Sequence, residues 1–226
     1  MGELTVTAGD GVRLYAEAHG EGTPVLFSPG YCQTHENFRP QVAPLVEAGR
    51  RVVLWDYRGH GRSEAPADPD AYTMERVVDD LGRVLDAAAP GRRAVLGGLS
   101  FGGLASLHVT RARPERVAAL LLLASGPGFK KREAQDPRGV ALFGRRVAGP
   151  APGVIDRLGE IEAPALVMVG ALDGAYLRAA EVMAAKLPRA KHVVVPDAGH
   201  VLNIEQAEAV NRQIQAFLDE ALGAGG

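Results

Sequence analysis

The segment that most restricts the fold is a short apolar run, Ala94 to Leu96. It breaks into Gly97-Gly98-Leu99-Ser100-Phe101-Gly102-Gly103 and resumes as a helical pattern to about Arg113. A strand that gives way at once to a helix needs a sharp reversal, and small residues on both sides of Ser100 let the backbones pass closely. Such a unit belongs to sheets whose strands run parallel, with helices returning over the faces. Val117 to Ala124 and Leu166 to Val169 are uninterrupted apolar runs, as expected of central parallel strands covered on both sides.

The remaining segments extend this α/β pattern. Leu4 to Thr7 and Val12 to His19, separated by Ala8-Gly9-Asp10-Gly11, read as an antiparallel hairpin. Val25 to Phe27, Val52 to Trp55 and His192 to Val195 read as further strands, with a helix from Phe38 to Ala48. Another helix begins at Thr73, which can cap it, and Glu75 puts a negative charge in its first turn. Its apolar positions Val77, Leu81, Val84, Leu85 and Ala88 share one face, as do Val210, Ile214, Phe217, Leu218 and Ala221 in a closing helix. Between Ser125 and Pro164 the pattern weakens and Gly and Pro multiply, so about 126–163 reads as an insertion over the sheet. At 226 residues, 1–226 is expected to form one domain.

Three residues fall where strands are expected to end. Ser100 occupies a G-x-S-x-G turn directly after a strand and opens a helix, which lifts its hydroxyl clear of the sheet and aims the helix N-terminus at it. A serine hydroxyl needs a base, and the base needs an acid to orient it. His200, in Pro196-Asp197-Ala198-Gly199-His200, and Asp173, in Gly170-Ala171-Leu172-Asp173-Gly174, emerge at the same edge because the strands are parallel. The strand before Asp173's ends in Ala124-Ser125-Gly126 with no carboxylate, and Asp197 is a weaker rival for the acid. A tetrahedral intermediate needs two backbone donors. The N–H groups of Phe101 and of Tyr31, in Ser28-Pro29-Gly30-Tyr31-Cys32, are the candidates. Tyr31, Phe101, Phe129 and Val201 are expected beside the acyl group. His60 is read as fixing its loop, and His19, His108 and His192 as structural. His35 stays open, because its loop can border the site.

On Phe27 to Asn37, Asp56-x-Arg58-Gly59-His60-Gly61-x-Ser63, Gly97 to Gly103, Gly170 to Asp173 and Ala198 to His200, the chain resembles the α/β-hydrolase superfamily, in its carboxylesterase and enol-lactonase branch. The resemblance implies a mostly parallel eight-stranded sheet with helices on both faces, a cap after strand six, and the triad Ser100, Asp173, His200. It implies ester hydrolysis through an acyl-serine. Thioester, lactone or carbon–carbon bond cleavage with the same triad, and a slow-turnover ligand-binding role, stay open. Serine at the turn argues against epoxide hydrolase and dehalogenase chemistry, for which the fold resembles cases with Asp there. The chain departs from the family in Pro29, where His is common, and in a cap with room for only one or two short helices. A shortened cap would uncover apolar surface, so a homodimer through it is expected.

Other classes find little support. With a net charge of −2 and no long run of Lys or Arg, nucleic acid is not an expected partner. Cys32 is the only cysteine, so no intrachain disulfide or cysteine zinc site is expected, and neither metal nor cofactor is required. No signal peptide or membrane span is visible, and the cytoplasm is the expected compartment.

Overall fold

Every second residue of a strand faces the same side, and in this chain both sides of the central strands are apolar. In β6 (Val117–Leu123), Leu120 and Leu122 join one buried cluster, whereas Ala119, Leu121 and Leu123 join the other. The same division holds in β7 (Ala165–Gly170), where Val167 and Val169 oppose Leu166 and Met168. The sheet therefore separates two cores, and each needs its own layer of helices.

The computed structural model describes residues 2–128 and 153–223. Phe129 and most of the expected cap lie outside the described residues. The sheet has eight strands in the order β1-β2-β4-β3-β5-β6-β7-β8. The hairpin β1 (Gly2–Thr7) and β2 (Arg13–His19) is antiparallel, and β2 pairs antiparallel with β4 (Arg50–Trp55). From β4 through β3 (Thr23–Ser28), β5 (Ala94–Leu99), β6, β7 and β8 (Ala190–Val195) every pairing is parallel. This is the α/β architecture expected from the sequence.

Helices α2 (Met74–Ala88), α3 (Phe101–Ala112) and α4 (Leu177–Lys186) cover one face through Val77, Leu81, Leu107 and Met183. Helix α1 (Arg39–Glu47) and helix α6 (Ala207–Leu222) cover the other through Leu45, Val210, Ile214 and Phe217. The Thr73 hydroxyl accepts the Arg76 N–H at 3.2 Å, so α2 starts where its capping residue stands. Among the described residues, no helix is long and apolar enough to cross a membrane.

One local expectation needs correction, and two elements are new. β5 does not stop at Leu96 but runs through Gly97 and Gly98 to Leu99. A side chain at Gly97 would strike the Phe27 ring, and one at Gly98 would strike the Gly102 backbone, so these glycines serve packing, not an early turn. Helix α4 and the short α5 (Leu202–Glu205) are not anticipated by the sequence pattern.

The topology also chooses where a site can form. β3 is flanked by β4 on one side and β5 on the other, so the chain leaves β3 and β5 in opposite directions. A crevice opens at such a reversal, outside the carboxyl ends of the two strands. The loop after Ser28 and the turn at Ser100 border it.

Candidate active site

Ser100 has φ 53° and ψ −114°, a region that a residue with a side chain rarely adopts. Strain of this kind persists only where the surroundings hold it. Here the Ser100 N–H donates to Leu123 O at 2.8 Å, and the Ser100 carbonyl accepts the Gly103 N–H at 3.1 Å as α3 begins. Glycine is required at Gly102, because any side chain there would meet the Ser28 carbonyl. That approach presses the N-terminus of α3 against the loop leaving β3.

Asp173 and His200 come from neighbouring loops that are stitched together. The Ala171 N–H donates to Val195 O at 2.9 Å, and the Leu172 N–H donates to Ala198 O at 2.8 Å. His200 Nδ1 then lies 2.7 Å from Asp173 Oδ2. A carboxylate only accepts, so Nδ1 donates in this bond and Nε2 is the ring nitrogen not bonded to Asp173. Asp173 is buried, whereas the His200 ring is 38% exposed. Asp197 has φ 54° and lies on the turn into this loop, and the acid bonded to His200 is Asp173.

Two residues that the sequence reading did not single out complete the surroundings. The Glu205 carboxylate accepts the Gly199 N–H at 2.6 Å and the Val201 N–H at 2.9 Å, clamping the backbone on both sides of His200. The Tyr176 ring packs against the His200 ring with centroids 4.7 Å apart, and its hydroxyl lies 3.3 Å from Ser100 Oγ. No motif marks either residue. Only their distances from Asp173 and His200 along the chain could have pointed to them.

The loop after β3 is held without a histidine. The Tyr57 hydroxyl donates to Pro29 O at 3.1 Å, and the Gly30 N–H donates to the Gln33 side chain at 3.1 Å. Cys32 adopts φ 59° at the far end of this turn. Tyr31, Ser100 and Phe101 together border a cavity of about 430 Å³, whose other walls include Leu104, Pro127, Ile155 and Val182. Val201, expected beside the acyl group, is not among the cavity walls. With its N–H pinned by Glu205, its side chain packs against the core beneath α6. Phe129 lies outside the described residues.

His19, His35 and His60 are held by structural bonds. His35, left open by the sequence, is buried and sits with Nδ1 2.8 Å from Asp56 Oδ2. His60 Nδ1 lies 3.2 Å from its own loop's Arg58 carbonyl, and burial pushes its pKa down. Among the described residues no cluster of His, Cys, Asp and Glu could hold a metal ion.

A family model described as the alpha/beta hydrolase fold matches residues 23–151, more than half of the chain. The chain belongs to the α/β-hydrolase family. Among solved members of this fold, a thermophilic esterase from Thermogutta terrifontis superposes with a TM-score of 0.82 at 25% identity, covering 97% of this chain and 98% of that one. The enol-lactonase from Burkholderia xenovorans LB400 superposes with a TM-score of 0.82 at 25% identity, over 93% of this chain and 98% of that one. An epoxide hydrolase from Caballeronia sordidicola is 36% identical over 117 residues, which are 52% of this chain and 35% of the relative. The chain spans less than half the length of several curated α/β-hydrolase relatives that it matches.

Proposed function

We propose that this chain is a serine hydrolase that cleaves carboxylic esters through an acyl-Ser100 intermediate. The observation that carries the proposal is the His200–Asp173 bond of 2.7 Å, made beside a serine held in a strained turn at the wall of an apolar cavity. His200 Nε2 takes the Ser100 proton as Oγ attacks the carbonyl carbon, and Asp173 stabilises the imidazolium that forms. The N–H groups of Tyr31 and Phe101 are assigned to the oxyanion. Collapse expels the alcohol, which receives its proton from His200, and water then releases the acid with His200 as base. The Ser100 hydroxyl lies 3.3 Å from the Tyr176 hydroxyl and turns to His200 Nε2 in the substrate complex, where catalytic hydrogen bonds of this kind commonly form.

The cavity supports a choice of substrate. Its volume suits a small molecule, and its walls are mostly apolar. Arg178 at its margin is engaged with Glu181 at 2.8 Å, so among the described residues no unpaired charge at the cavity calls for an anionic acyl group. Short or medium neutral acyl groups fit these walls. A lactone is an internal ester and would follow the same steps, a reading favoured by the likeness to an enol-lactonase.

A fluorophosphonate probe and a panel of p-nitrophenyl esters test the proposal. One phosphonyl group on Ser100, located by peptide mass spectrometry, and faster turnover of the butyrate than of a charged succinate half-ester are expected. Absence of both labelling and turnover would refute it. A further outcome concerns the clamp on the His200 loop. Glu205→Ala is expected to lower kcat about ten- to a hundredfold, because small displacements of a base are costly. A kcat equal to the parent's would show that the loop holds without it.

A further inference from the structure

Tyr176 is placed by the same turn that places Asp173. Its N–H donates to Asp173 O at 3.0 Å, and its carbonyl accepts the Ala180 N–H at 2.9 Å as α4 begins. Its ring packs against His200 while its hydroxyl lies 3.3 Å from Ser100 Oγ, so one side chain touches both. Much of the cavity beyond is apolar, formed by Leu104, Pro127, Ile155 and Val182.

A water molecule that attacks an acyl-serine has two O–H bonds to satisfy. One points to His200 Nε2, and between apolar walls the other needs a second polar partner. The geometry points to the Tyr176 hydroxyl as that partner, a catalytic group that holds the hydrolytic water during deacylation. The inference rests on the acyl-Ser100 reading and names the residue that governs its second half. In the step, the water oxygen bonds to the acyl carbon and one of its protons passes to His200 Nε2. Tyr176 keeps its own proton and accepts the remaining O–H. The bond from carbon to Ser100 Oγ then breaks, His200 returns the proton to Oγ, and the carboxylic acid leaves.

An attacking alcohol differs in one respect. It has a single O–H, which goes to His200, so it has no use for the acceptor on Tyr176. Tyr176 should therefore favour hydrolysis over alcoholysis, a preference that simple support of His200 would not produce.

The test uses Tyr176→Phe, which keeps the ring on His200, with p-nitrophenyl butyrate in buffer containing methanol. Hydrolysis is expected to fall about three- to tenfold, the effect of one neutral hydrogen bond. The ratio of methyl butyrate to butyrate should rise by the same factor, whichever half-reaction limits turnover. An unchanged product ratio would overturn the inference, whether or not the overall rate drops. Tyr176→Leu, which also removes the ring, is expected to slow both products, and an equal ratio shift there would support the hydroxyl's role again. Ser100→Ala separates the two ideas. Full turnover in that variant would overturn the acyl-serine reading itself, whereas an unchanged ratio in Tyr176→Phe alone would overturn only the role of Tyr176.

Discussion

Ser100→Ala is expected to lower kcat on p-nitrophenyl butyrate by about 10⁴- to 10⁶-fold, the range seen when a serine nucleophile is removed from a triad. The substitution deletes one oxygen and leaves the cavity walls, the His200–Asp173 bond and the Ser28–Gly102 contact in place. Alanine must still adopt the φ of 53°, so the backbone strain is the same in both proteins. Stability should therefore change little while chemistry is lost, and a thermal melt alongside the assay separates the two. Asp173→Asn should cost about 10⁴-fold by a different route, since an amide in that place no longer fixes the tautomer of His200. Residual turnover within tenfold of wild type in Ser100→Ala would require another nucleophile.

The largest effect on folding is expected at Arg58, which takes no part in this chemistry. Its guanidinium is fully buried and paired at 2.7 Å through both Nε and Nη2 with the two oxygens of Asp80, which is also fully buried. Asp10 and the Ala71 carbonyl accept its remaining N–H groups, at 2.8 Å through Nη1. Removing the cation leaves the Asp80 carboxylate with no counter-charge in the interior, a loss of about 3–5 kcal/mol. For a chain of this length that corresponds to a Tm lower by on the order of 10 °C. Arg58→Met combined with Asp80→Leu should recover much of the loss, because no unpaired charge remains between them. A single Arg58→Ala variant that melts within about 2 °C of wild type would contradict this account.

The parts of the fold that a sequence shows are those where one physical demand selects the residue. β6 and β7 are legible because a strand buried on both faces tolerates nothing polar, and α2 because Thr73 caps its start and a wide stripe covers the core. The Asp173–His200 pair was legible because parallel strands deliver their ends to one edge. Helix α4 was hidden because only Ala180 and Met183 are fully buried along it, too thin a stripe to reveal its period. Tyr176 and Glu205 were hidden for another reason. Each acts by reaching across space to a partner on another element or to backbone groups, and no spacing encodes that. Val201 was misplaced because adjacency to His200 says nothing of which way a side chain turns once the backbone is clamped.

Gly128 and Gly153 meet at a seam beside the cavity. The Val154 N–H donates to Pro127 O at 2.8 Å, and a side chain at Gly128 would collide with Gly153. The two edges of this seam are already joined without the residues between them, and they lie beside the cavity wall formed by Pro127 and Ile155. Closing a loop across joined ends costs little more for a long segment than for a short one. The length of chain between Gly128 and Gly153 therefore adds little to the cost of holding these two edges together. The eight strands and the strained turn at Ser100 are thus insulated from changes of chain length at this rim of the cavity.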